Sequence, residues 1–235
     1  MSVAENLARV REQLEKAAQR AGRNPNEITL VAVSKTFPPE QIVEAFQAGA
    51  RDIGENRVEE AAEKIPAVNR RVGEGNLRWH LIGHLQRRKA REALRLFDML
   101  QSVDTLRLAE TLNRHAKEQG KIVPVLLQVN IGNDPNKFGF SPEPREAFFR
   151  DVQKIVALPT VRVEGLMTIG PLVPSAEDAR PFFRDLRTLR DELATRFPHA
   201  NWRELSMGMT DDYAVAIEEG ATIVRIGRAI FGQRA

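Results

Sequence analysis

Eight short segments rich in β-branched and apolar residues recur along this chain, each followed by a stretch of helical periodicity. That alternation constrains the fold more than anything else in the sequence. The strand-like segments are Thr29–Ser34, Asp52–Gly54, Trp79–Gly83, Met99–Val103, Val123–Asn130, Val161–Thr168, Glu204–Ser206 and Thr222–Ile226. Helical patterns separate them at Pro38–Ala48, Arg57–Ile65, Arg87–Leu96, Thr105–Gln119, Glu143–Ala157, Ala176–Arg196 and Asp211–Glu219, and another opens the chain and runs to about Ala21. Asp104 and Ser175 stand where helix caps are expected. Eight such units in 235 residues predict one domain over residues 1–235, an α/β chain closed into a (β/α)8 TIM barrel with an additional N-terminal helix. An open doubly wound sheet is the alternative, though it seldom carries eight units.

Composition removes several function classes. Cys is absent, so there is no disulfide framework, Cys metal site or thiol nucleophile. Met1 to Arg20 is a charged amphipathic pattern without the apolar core of a secretory signal, and no apolar run is long enough to span a membrane. A soluble cytoplasmic protein is therefore expected. The 35 basic and 32 acidic residues nearly balance. The densest basic cluster, Arg87, Arg88, Lys89, Arg91 and Arg95, has helical spacing and no interleaved aromatics, which predicts a solvated face rather than a nucleic-acid site.

Only eight of the basic residues are Lys, and Lys35 is the one that ends a clear strand. In a barrel, the rim at the strand ends holds the chemistry. A lysine partly desolvated there loses some preference for its charged form, and a neutral amine can attack a carbonyl to give a Schiff base. The plain alternative is a lysine snorkelling from a strand end.

A second signal closes the chain. Ser206, Gly208 and Thr210 follow the seventh strand, and Gly227 and Arg228 follow the eighth. Loops in these positions often bind phosphate through hydroxyls, close backbone approach and the start of a short helix. Thr210 as a simple cap and Gly227 as a simple turn explain the same residues. Arg225, flanked by Val224 and Ile226, lies inside the barrel mouth or faces the helices, and there it needs a ligand or a carboxylate as partner. Asn56, His80 and His84 end the second and third strands. The His80/His84 spacing suggests a metal pair only on a helix, so no metal site is expected. Met167 suits the core or an apolar wall beside a ring.

These segments together resemble the pyridoxal phosphate homeostasis protein family, which is related to the barrel domain of bacterial alanine racemases. The motifs that carry the resemblance are VSKT (33–36), GENRVEE (54–60), WHLIGHLQ (79–86), NKFGF (136–140), EGLMTIG (164–170), LSMGMTDDY (205–213) and VRIGRAIFG (224–232). Phe37, Arg88 and Tyr213 depart from the family's usual residues. The resemblance implies that Lys35 carries pyridoxal 5′-phosphate (PLP) as an aldimine. It implies that Ser206, Gly208, Thr210, Gly227 and Arg228 hold the phosphate region, that Arg225 faces the pyridine nitrogen, and that Asn56, His80 and Met167 border the pocket. Lys137 matches a second family lysine near the entrance.

The implied role is PLP (vitamin B6) homeostasis without catalysis, with PLP-dependent apoenzymes as recipients and neither nucleic acid nor membrane as partner. A monomer is expected, a weak dimer being the alternative. An Arg beside the pyridine nitrogen weakens the cofactor as an electron sink, and racemisation needs two bases on opposite faces of the carbon. A small racemase or related enzyme of amino-acid metabolism is the competing reading, although Tyr213, the one tyrosine that could serve as its second base, is expected to pack at the start of a helix. A barrel without cofactor would leave Lys35, Arg225 and the Ser206/Thr210 pair unconnected.

Overall fold

The structure, a computed structural model, describes residues 2–233. A helix, α1 (Val3–Arg20), precedes a closed barrel of eight parallel strands in sequence order. The strands are β1 (Thr29–Val33), β2 (Asp52–Glu55), β3 (Arg78–Leu81), β4 (Met99–Val103), β5 (Val123–Gln128), β6 (Val161–Met167), β7 (Glu204–Ser206) and β8 (Ile223–Ile226). The helices outside them are α2 (Pro39–Gln47), α3 (Val58–Val72), α4 (Ala90–Leu96), α5 (Leu106–Glu118), α6 (Arg145–Val156), α7 (Arg180–Arg196), α8 (Tyr213–Glu218) and α9 (Arg228–Phe231). No helix among the described residues is long and apolar enough to cross a membrane.

Strand alternation divides the apolar residues into two layers. Ala32, Ile53, Leu81, Leu100, Leu166, Leu205, Val224 and Ile226 join the core between barrel and helices, while Val31, Met99, Leu126, Met167 and Ile223 fill the barrel itself. Val224 and Ile226 thus face the helices, which settles Arg225 inside the barrel. Gly54 keeps the inner layer narrow, because a Cβ there would come within 2.8 Å of Val31 Cγ1.

Local differences from the sequence reading have physical causes. α3 continues past Ile65 through Pro66, because Val58, Ala61, Ile65 and Val68 are all buried and their packing outweighs the lost backbone bond. Thr105, not Asp104, caps α5, its hydroxyl accepting from the Leu108 N–H at 3.3 Å. Asp104 instead meets the His84 ring at 2.8 Å. Ser175 is not a cap either, since its hydroxyl and N–H both donate to Asp178 and α7 starts after a single 3-10 turn. A similar turn at Arg87–Lys89 opens α4.

Candidate functional site

Val31 and Val33 face into the barrel, so the same parity turns Lys35 inward just beyond the end of β1. The backbone around it is gripped from below. Lys64, on α3 and only 8% exposed, donates to the Ser34 carbonyl at 2.8 Å, to Glu55 at 3.0 Å and to Glu60 at 2.5 Å. Glu60 accepts the Thr36 N–H through the same carboxylate oxygen, also at 2.5 Å. Thr36 is held in the left-handed region with φ of 70°, a strained setting for a β-branched residue. Burial pushes the Glu55 carboxyl up, and bonds from Ser34 and Lys64 only partly oppose it. Burial acts on Glu60 in the same sense, but there the Lys64 ammonium and the Thr36 N–H prevail and hold it below the ordinary range.

Two adjoining cavities share Lys35 and Asn56 on their walls. The smaller, about 210 Å³, also has Arg225, Thr210, Gly227, Arg228 and Asp211 in its lining, with Val33, Phe37, Ile82, Ile169, Leu172 and Met209 as apolar wall. Phe37 is fixed by stacking on Phe231, with centroids 5.3 Å apart. Asp211 pairs with Arg228. The larger, about 470 Å³, runs past Thr36, Glu59, Glu60, His84 and Lys89. From the basic cluster around Arg88, Lys89 lines this larger cavity and pairs there with Glu59. The side-chain oxygen of Asn56 is buried without a hydrogen-bond partner.

Arg225 is 4% exposed, and burial lowers its pKa to about 10 against the opposing pull of Asp212. Its two terminal nitrogens donate to Ser206 Oγ at 2.6 Å and to the Thr168 carbonyl at 2.7 Å. Four expected pocket residues therefore take other places. Ser206 is fully buried and its hydroxyl donates to Gln101 at 2.6 Å, so it seats Arg225 instead of lining the cavity. His80 lies deeper, between Gln101 and Asp52. Met167 fills the barrel interior. Gly208 serves the backbone, with φ of 91° and a Cβ position only 2.6 Å from Ala216 Cβ. Lys137 donates to the Gly170 carbonyl at 2.8 Å and is absent from the lining of both cavities, as is Tyr213.

Sequence reasoning missed Lys64, Glu60, Gln101 and Asp52. The spacing of Glu60 and Lys64, four apart on one helix face, and the inward parity of Met99 and Gln101 were the available signals.

A family model described as the alanine racemase N-terminal domain matches residues 6–235. A pyridoxal phosphate homeostasis protein of Aquifex aeolicus is 42% identical over 100% of this chain and 99% of its own length. That of Escherichia coli K12 is 41% identical over 99% of this chain and 97% of its own. The chain belongs to the pyridoxal phosphate homeostasis protein family. Among solved structures, PipY of Synechococcus elongatus with PLP bound is 38% identical, with a TM-score of 0.86 over 98% of this chain and 100% of PipY. Alanine racemase of Clostridium difficile, at 13% identity, shares the barrel over 99% of this chain and 56% of its own, with a TM-score of 0.70.

Proposed function

We propose that this protein binds PLP covalently through Lys35 and serves intracellular vitamin B6 homeostasis by holding the cofactor, without a reaction of its own. The observation that carries the reading is the convergence of Lys35, Arg225, Thr210, Gly227 and Arg228 on one cavity of about 210 Å³. An amine, a buried guanidinium, a hydroxyl and a second guanidinium around an apolar wall complement a flat aldehyde that bears a phosphate. The unpartnered Asn56 oxygen adds a buried acceptor beside them. The PLP bound to PipY supports the same ligand.

When bound, the cofactor supplies an aldehyde that condenses with an amine with loss of water, and a ring whose pull on electrons grows as its nitrogen is protonated. Arg225, fixed by Ser206 and Thr168, presents donors and no carboxylate, so it does not hold a proton on that nitrogen. Thr210 and Arg228 bind and orient the phosphate end. Apolar Val33, Ile82 and Met209 keep water from the ring. Tyr213, the second base that a racemase reading would call on, lies outside the lining of the cavity. A holder of this kind implies PLP-dependent apoenzymes as recipients.

Borohydride reduction of the PLP-loaded protein, followed by peptide mass spectrometry, tests the reading. The adduct is expected on Lys35 and should be lost in Lys35→Ala. An adduct on Lys137, or none at all, would overturn it.

A further inference from the structure

A continuous hydrogen-bond chain runs through the barrel from its mouth to its floor. Arg225 donates to Ser206 Oγ at 2.6 Å, and Ser206 donates to Gln101 Oε1 at 2.6 Å. Gln101 Nε2 lies 3.0 Å from His80 Nδ1, and His80 Nε2 lies 2.8 Å from Asp52 Oδ1. Asp52 opens β2 and is held from outside by Arg78, which opens β3, so this end lies at the strand starts, opposite Lys35. Val31, Met99, Leu126, Met167 and Ile223 form an apolar cluster inside the barrel beside the chain.

The two charged ends fix the sense of every bond between them. Arg225 can only donate, so Ser206 accepts from it and sends its single proton to Gln101. The Gln101 amide then points its N–H₂ at His80 Nδ1, which must accept, and the ring proton sits on Nε2, aimed at Asp52. A reversed amide would put its carbonyl against His80 Nδ1. That would either move the proton there and leave a bare Nε2 facing a carboxylate, or require a second proton on a ring fully buried in the barrel. Burial pushes Asp52 up, but the bonds from His80 and Arg78 outweigh it and keep the carboxylate charged. All donors therefore point one way, from a cation at the mouth to an anion at the floor, an arrangement in which successive bonds polarise one another.

We propose that Gln101, His80 and Asp52 are positioning residues for the PLP site: anchored at the barrel floor, they hold Ser206 as an acceptor and thereby fix the donors that Arg225 turns toward the cofactor. The proposal rests on the PLP reading above and deepens it, since it assigns a role in cofactor binding to residues that touch neither cavity.

Two measurements test it. In the full-length protein without PLP, nitrogen-15 NMR of the imidazole ring should show His80 protonated at Nε2 and bare at Nδ1. The opposite tautomer or a doubly protonated ring would overturn the directed chain. This result does not depend on PLP, so a protein that failed to take the cofactor would remove the function proposed above and leave the chain to be judged alone.

In PLP-loaded protein, Asp52→Asn and Gln101→Leu should each shift the cofactor's absorption and emission bands and weaken binding roughly three- to tenfold, the scale of one hydrogen bond. Thr222→Val serves as the control. Thr222 ties Glu204 to the Leu205 backbone near the same floor but stands outside the chain, so its loss should lower thermal stability and leave the spectrum unchanged. If Asp52→Asn likewise costs only thermal stability, with spectrum and affinity unmoved, the chain is scaffold and the proposal fails.

Discussion

The Lys64 ammonium sits 2.8 Å from the carbonyl oxygen of Ser34, the residue that precedes Lys35. The same ammonium holds Glu60, which in turn holds the amide of Thr36, the residue that follows. The Lys35 loop is thus tied to α3 on both sides by one buried cation.

Removal of that cation should be costly. Lys64→Met leaves Glu55 and Glu60 without their charge partner, and breaking a buried pair typically costs about 3–5 kcal/mol. Urea unfolding of the protein without PLP measures this directly. A loss below about 1 kcal/mol, the scale of an exposed pair, would show that the cluster adds little to the fold.

Thr210 and Ser206 should behave differently, although Ser206 ends β7 and Thr210 lies only four residues beyond it. Thr210→Ala should weaken PLP far more than pyridoxal, since only the phosphate loses a charge-assisted bond of about 1.5–3 kcal/mol. Ser206→Ala should weaken the two ligands alike, because its hydroxyl serves Arg225. Calorimetry on both variants with both ligands decides this. A phosphate-selective loss at Ser206 would contradict its interior placement.

Acid sensitivity follows from Asp52. Its folded-state pKa is held below the ordinary 3.8. A carboxyl lowered in this way contributes stability above its unfolded value, and that contribution is lost as pH falls through 3.8 toward the folded-state value. Asp52→Asn should therefore flatten the acid limb of the stability curve, read as urea midpoints from neutral pH down to about pH 3. An acid limb as steep as that of the wild type would assign the sensitivity to other carboxylates.

Amino-acid turnover separates holder from racemase. With L-alanine in heavy water, the PLP-loaded protein should show exchange at the α-carbon without inversion, far below the ~1–10³ s⁻¹ of ordinary enzymes. Chiral chromatography with mass detection reads both quantities. Inversion at an enzyme-like rate that vanishes in Tyr213→Phe would make Tyr213 the missing second base.

The barrel and the rim position of Lys35 were legible because strand composition, alternation and loop placement are local properties. Met99–Val103 and Glu204–Ser206 needed no adjustment, and no other strand end moved by more than two residues. The interior was less legible. Ser206 carries the same hydroxyl whether it meets a phosphate or a guanidinium, and the choice depends on Gln101, more than a hundred positions away. The Lys64 clamp was hidden because a lysine four residues after Glu60 on a helix reads equally well as an exposed ion pair. A polar residue on a short strand shows its parity, but parity does not reveal which neighbour across the barrel it will meet.

The side-chain alternation of β1 also determines which changes of length the chain can survive. Val31, Val33 and Lys35 share one face, while Ala32 and Ser34 share the other. One residue inserted or deleted within β1 would exchange the two sets beyond the change, turning the Lys35 amine toward the helix layer and presenting the Ser34 hydroxyl at the mouth. The turn before the strand carries no such arithmetic, whereas the segment after it is pinned as far as Phe37. Related chains should therefore differ in length before this strand or beyond Phe37 while keeping the count from its first inward valine to the lysine constant.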